Sequence, residues 1–137
     1  MPPDSFTLDE ANAALRDVLE PLAALQGAQA RLRAVRDALR VLGRQHLNDG
    51  VMAERRVRQL RAEQLRLAEQ ARSAAEAIRV TGAELKSIED GLLDFPTEIE
   101  GVAAYWCWRS GEDEIEWWHP RSTGFAGRQR ILPALPG

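Results

Sequence analysis

The stretch AYWCWRSGEDEIEWWHP, Ala104 to Pro120, holds all four tryptophans, the only tyrosine, the only cysteine and one of two histidines in a chain of 137 residues. Elsewhere alanine, leucine, arginine and glutamate dominate. Two short runs, VAAYWCWR and IEWWH, flank a loop expected over Gly111 to Glu114, and they read as an antiparallel strand pair. A two- or four-residue loop puts Trp106, Trp108, Ile115, Trp117 and His119 on one face, with Tyr105, Cys107, Arg109, Glu116 and Trp118 on the other. A three- or five-residue loop instead sets Glu116 beside Trp106 and Trp108. A buried unpaired carboxylate is costly, so the first register is expected. On this reading most of the rare side chains fill the buried face of a small sheet.

Upstream, ELKSI and LLDF flank Glu89-Asp90-Gly91, which reads as a three-residue hairpin loop with glycine at a left-handed position. That register pairs Ile88 with Leu92 and Lys86 with Asp94, and places Leu85, Leu93 and Phe95 on one face. Pro96 ends this strand or marks an edge. Glu100-Gly101 is a further turn, so the region predicts an antiparallel meander of about four short strands.

Before Gly82 the periodicity is helical. Thr7 is an N-cap with Glu10 three residues on, a capping box, and Phe6 and Ala11 occupy hydrophobic-staple positions. Leu8, Ala11, Leu15, Val18, Leu22, Leu25, Leu32, Leu39 and Leu42 follow with spacings of a heptad seam, with a local shift near Val35. Pro21 predicts a kink and no full break. Gly43 to Gly50 reads as a turn, and Val57, Leu60, Leu67, Ala71, Ala74 and Ile78 form a second stripe ending near Gly82. The fold class expected is α+β: a long, coiled-coil-like antiparallel helical hairpin (1–80) followed by a small antiparallel sheet with a C-terminal tail (81–137). The hairpin buries only one seam alone, so it either lies on the sheet or dimerises into a four-helix bundle.

An apolar fraction of 45% and a charged fraction of 28% fit a folded protein. No apolar run approaches the roughly 20 residues that span a bilayer. The acidic start lacks the apolar core of a signal peptide, and one cysteine excludes an internal disulfide. The cytoplasm is therefore the expected compartment. Net charge is −3 but uneven: Arg31 to Arg72 carries eleven arginines against five acids, and Thr81 to Pro120 ten acids against two bases. This asymmetry suggests self-complementarity within the chain or between subunits; it also fits a phosphate-binding surface.

The segments GAELKSIEDGLLDFP (82–96), YWCWRSGE (105–112), WH (118–119) and GFAGRQ (124–129), with the opening FTLDEANAAL (6–15), together resemble a bacterial domain-of-unknown-function family, DUF2203. The resemblance implies no reaction. Trp106 stands where an aliphatic residue is expected from the family, and Arg121-Ser122 where an acidic pair is expected.

The polar positions within these blocks are the candidate site: Glu84, Lys86, Asp94, Arg109, Glu112, His119 and Arg128, with Trp118 and Gly127 as neighbours. His119 at a strand end suits a metal ligand or general base; its plain alternative is a sheet-edge cap. Metal candidates are Asp94, Glu112 and His119, though no HxxxH, HxH or CxxC spacing supports them, and no motif indicates a cofactor. Lys86 and Asp94 read as a register-setting pair. Gly124 to Arg128 offers backbone amides and an arginine to an anion, or is a tight turn in which Phe125 plugs the core and Arg128 pairs with the acidic sheet. Cys107, inside a strand, reads as a buried structural thiol.

The leading expectation is a non-enzymatic cytoplasmic interaction module, homodimeric through its helices and presenting a surface for a small anion or a protein partner. The first alternative is a metal-binding protein or enzyme with its site around Asp94, His119 and Arg128. The second, less favoured, is nucleic-acid binding along Arg33, Arg36, Arg40, Arg44, Arg55, Arg58 and Arg61. No membrane partner is expected.

Overall fold

The structure is a computed structural model and describes residues 4–45 and 50–132. Two helices, α1 (Leu8–Gln45) and α2 (Gly50–Arg79), precede five strands: β1 (Glu84–Ser87), β2 (Leu92–Ile99), β3 (Val102–Arg109), β4 (Trp117–Pro120) and β5 (Gln129–Arg130). The strands form one antiparallel sheet in the order β1-β2-β3-β4-β5. The fifth strand, absent from the expected four, is two exposed residues long and too short to show a period-2 pattern.

Helix α1 starts as its capping box dictates: the Thr7 amide donates to Glu10 Oε1 at 2.9 Å, and the Glu10 amide donates to Thr7 Oγ1 at 3.1 Å. Phe6 and Ala11 are buried on either side of the cap. The helix runs through Pro21 without a break and still includes Gly43, so the connecting turn is shorter than expected. The rest of that turn, 46–49, lies outside the described residues. The seam beyond residue 28 also differs, since Val35 is buried while Leu32, Leu39 and Leu42 are half-buried.

The first half of α1 and the last turns of α2 lie on one face of the sheet. Leu15, Val18, Leu22, Leu25 and Ile78 pack there against Leu93, Phe95, Trp108 and Ile115. Phe6 meets Phe95 edge-on at 5.5 Å, and the Phe6 carbonyl accepts from Thr97 Oγ1 (2.8 Å) and Trp106 Nε1 (2.9 Å). No helix among the described residues is long and apolar enough to cross a membrane.

Three details of register differ from the sequence reading. In the first hairpin Glu84, not Lys86, stands opposite Asp94, and Ser87, not Ile88, opposite Leu92, with a bulge between Leu85 and Ser87. The loop is one residue wider than expected because Ser87 Oγ receives the Asp90 amide and Gly91 closes back on the Ile88 carbonyl. Pro96 does not end β2; it pairs with Tyr105 where β1 has stopped, and the Phe6 amide takes its carbonyl at 2.8 Å. On that open edge the missing proline N–H leaves no ladder bond unmade.

The third difference matters most. Cys107 pairs with Trp117, Trp106 with Trp118 and Tyr105 with His119. Directly opposed residues share a face. His119 and Trp117 therefore stand with Cys107 and Tyr105, away from the helices, while Trp106 and Trp118 share the other face. The economy that favoured the opposite register does not operate, because the loop spans the seven residues from Ser110 to Glu116. Ile115 reaches the core from that loop, its amide held by Asn12 Oδ1 at 2.9 Å. Glu116 has no partner on β3; its carbonyl accepts from the Ile131 amide at 2.8 Å and its side chain reaches Arg130 at 3.3 Å.

Substitutions at two positions test these local rules by urea denaturation. Thr7→Ala removes the cap and should cost about 1 kcal/mol, with Thr7→Ser close to neutral. Glu100 and Gly101 both have positive φ (52° and 81°), a two-residue turn of the type that prefers Asn-Gly. Glu100→Asn should accordingly stabilise by about 1 kcal/mol.

Candidate functional site

The displaced register assembles a polar cluster that alternation alone does not reveal. Asp94 on β2 stands directly opposite Cys107 on β3. His119 on β4 stands opposite Tyr105, two residues along β3 from Cys107, and its imidazole reaches across β3 to Asp94. Nε2 lies 3.2 Å from both carboxylate oxygens. One ligand atom from each of Asp94, Cys107 and His119 lies within 4.8 Å of the other two, and all three residues are buried. They are buried although they point away from the helices, because the sheet carries a second, thinner layer there. Tyr105 leans on the His119 ring at 5.4 Å. Trp117, across from Cys107, is covered by the Arg128 guanidinium at 4.4 Å.

The second ring nitrogen fixes the chemistry of the first. His119 Nδ1 is 2.8 Å from the Pro120 carbonyl, which can only accept, so Nδ1 carries a proton. Nε2 then faces Asp94 either bare or with a second proton. Charge-assisted N–H···O bonds usually run about 2.7–2.9 Å, so 3.2 Å to two equivalent oxygens is a loose hydrogen bond. It is close to the spacing of donor atoms that share an ion: two ligands each about 2.1 Å from a tetrahedral metal stand roughly 3.4 Å apart. The outer Nδ1–H to a backbone carbonyl is the support that a metal-ligating histidine commonly has.

Burial pushes the Asp94 carboxyl up, against the pull of His119. Burial, then the charge of Asp94, pushes the Cys107 thiol up to about 12. A thiol so protonated is a poor nucleophile, so the trio does not resemble a cysteine–histidine catalytic pair.

The other candidates surround this centre or lie off it. Glu84 accepts from Tyr105 Oη (3.0 Å) and Lys86 Nζ (2.9 Å), and Lys86 Nζ sits 4.8 Å above the Tyr105 ring. These bonds raise the Lys86 and Tyr105 pKa values, for the phenol after burial itself. Lys86 thus pairs with Glu84 in place of the expected Asp94. Glu112 accepts the Arg109 amide at 2.7 Å and pairs with Arg128, so it is a structural partner of the Gly124–Arg128 segment and not one of the clustered ligands. Phe125 is exposed rather than plugging the core, and it packs under Arg128 and Arg109. A Cβ at Gly127 would come within 2.6 Å of Thr123, which explains the glycine. Arg109 reaches towards Asp90 at the rim (3.8 Å), and Trp118 lies on the opposite face across from Trp106.

Sequence reasoning missed Cys107 as a member of the site. The available signal was its position two residues from Tyr105 and Arg109 on a face not needed for the core. With the thiol wholly buried and held neutral, iodoacetamide at pH 8 should leave Cys107 unmodified in the folded protein and add one carbamidomethyl group after unfolding in guanidinium, read by mass spectrometry.

Asp94, Cys107, Glu112, His119 and Arg128 each fall within the segments that carry the family resemblance. No curated protein and no solved structure matches the chain. The family model of DUF2203, described as an uncharacterized conserved protein, matches residues 5–131, and the chain belongs to that family.

Proposed function

We propose that this protein binds a divalent metal ion of the zinc class through Asp94, Cys107 and His119. The carrying observation is the convergence of carboxylate, thiol and imidazole atoms within 4.8 Å at the centre of a sheet. The support for His119 Nδ1 by the Pro120 carbonyl agrees with it. A mixed N, O and S donor set suits tetrahedral zinc better than calcium or magnesium, which prefer oxygen. Three protein ligands leave one position for water or a bound group. The metal would also hold as a thiolate the sulfur that burial keeps protonated. A lone thiolate ligand persists most readily in a reducing compartment, and the cytoplasm is the proposed location.

A second reading concerns assembly. The helical seam read from the sequence as a dimer interface is occupied within the chain by the sheet and by the other helix. A homodimeric interaction module would therefore use a different helical face, and Leu65 on α2, 74% exposed, marks one.

The metal reading is tested on protein stripped with chelator and refilled with Zn²⁺, then Co²⁺. Native mass spectrometry should show one zinc per chain. Cobalt should give thiolate-to-metal charge-transfer absorption that Cys107→Ser abolishes. Asp94→Asn keeps the side-chain shape and can donate an amide hydrogen to Nε2, so it should fold as wild type and lose most zinc affinity. At about a hundredfold excess over Kd, zinc should stabilise the wild type by about 2.7 kcal/mol. No bound zinc in a folded wild-type chain, or equal binding by both variants, would overturn the proposal.

A further inference from the structure

The main core ends part-way along the helices: its last buried member on α1 is Leu25 and its first on α2 is Ala74. Arg33 still reaches Glu89 at the edge of the sheet (3.9 Å). Beyond that level no hydrogen bond or ion pair joins the hairpin to the sheet among the described residues. The last twelve residues of α1, about 18 Å, and the facing turns of α2 therefore form an arm of two helices alone. Two helices cover only one seam, and here its buried residues are Val35, Ala53 and Leu60. Leu39, Leu42 and Val57 stay half-buried. With Ala53 they floor a groove that opens on one side of the arm.

Arginine lines both banks of this groove. Arg58 and Arg61 edge it on α2. On α1, Arg36, Arg40 and Gly43 are spaced by four and three residues and share one stripe, and Gly43 lines the groove. The ion pair of Arg31 with Glu63 (2.6 Å) marks residues that lie level across the hairpin, and counting from it towards the tip sets Arg36 level with Arg58. Arg36, Arg58 and Arg61 have no ion pair among the described residues, and Arg40 has only Asp37, at 3.6 Å. Glu54 is the one acid among the described residues that line the groove. Nearer the sheet the arginines of α2 are tied to acids, Arg72 to Glu69 and Arg79 to Glu76.

We infer that this groove takes an acidic amphipathic helix from a protein partner, laid between the two banks as the third helix of a bundle. Such a helix docks through apolar side chains at i, i+3, i+4 and i+7, and the leucine, valine and alanine floor receives them. Gly43 and Ala53 carry no side chain long enough to hold it off. Carboxylates on both shoulders of the helix then meet the two rows of arginine, as e and g residues flank the seam of a coiled coil. Nucleic acid would use the charge alone, because contacts to phosphate leave Leu39, Leu42 and Val57 in water. The arm of a second copy would bring the same arginines to the same banks, and like charges across an interface are disfavoured. The groove shares no residue with Asp94, Cys107 and His119, so the inference stands apart from the metal.

The probe is a synthetic helix of about three heptads with leucine at a and d and glutamate at e and g. Fluorescence anisotropy against the full chain at about 0.15 M salt reads its binding. It should bind with a Kd of about 10 μM or tighter. Arg58→Glu/Arg61→Glu, at exposed positions, should leave the circular dichroism unchanged and weaken binding by about tenfold or more. The same variant should gain affinity for a matching helix with lysine at e and g, which the wild type should reject. Glutamine in place of the probe's leucines should abolish binding, since the floor is apolar. No binding of the glutamate helix overturns the inference. So does equal binding of the lysine or glutamine helix, or a variant that holds the glutamate helix as the wild type does. Duplex DNA of about 20 base pairs that binds more tightly than the helix, and is lost in the same variant, assigns the arginines to phosphate and overturns it. Self-association of the wild type that excludes the helix assigns the groove to a second copy and overturns it as well.

Discussion

The contact between Asp94 and His119 across β3 organises the face of the sheet that the helices do not cover. A carboxylate and an imidazole, each about 3% exposed, are unusual on the outer side of a small meander. They stay there because every polar atom is engaged: Nδ1 by the Pro120 carbonyl, and Nε2 by both oxygens of the carboxylate. Among the described residues no buried side-chain nitrogen or oxygen lacks a partner. A buried polar group without one would cost several kcal/mol, so the second layer of Tyr105, Trp117 and Arg128 follows from the pair beneath it. That layer is aromatic and cationic because its members must shield the pair while facing water.

The glycine-bracketed segment before β5 has its physical reason in the same constraint. Arg128 covers Trp117 and is tethered by Glu112, so the loop after β3 and the turn before β5 meet over Cys107. Both groups act electrostatically on the thiol, Arg128 lowering its pKa and Glu112 raising it, and neither outweighs burial. Of the two readings the sequence offers for this segment, an anion-binding loop or a tight turn whose arginine pairs with an acid, the fold shows the pairing, with Glu112.

The helical half was legible because its signals are local. Thr7 and Glu10 cap each other across three residues, and the seam from Ala11 to Leu25 repeats often enough to fix a face. The sheet was legible as a sheet, and its turn at Glu100-Gly101 as a turn. What failed was register, and a slip of one residue moves every side chain to the other face. Lys86 reads opposite Asp94 because a bulge has no sequence signature there. His119 reads among the core tryptophans only while Glu116 stays in the strand. Cys107 reads as a structural thiol because its further meaning depends on Asp94 and His119, which are 13 and 12 residues away in sequence and adjacent only after the sheet has formed.

The sheet divides the molecule's tasks between its faces. Leu93, Phe95, Trp106 and Trp108 bind the helices, while Asp94, Cys107, Tyr105 and His119 alternate with them on β2, β3 and β4 and face the other way. Each cluster residue is therefore flanked along its strand by residues locked into the core, which holds a donor set in place more firmly than a loop could. Period-2 alternation thus sets the carboxylate, thiol and imidazole on the face opposite the one that the helical stripe, with its 3.6-residue period, fills with core.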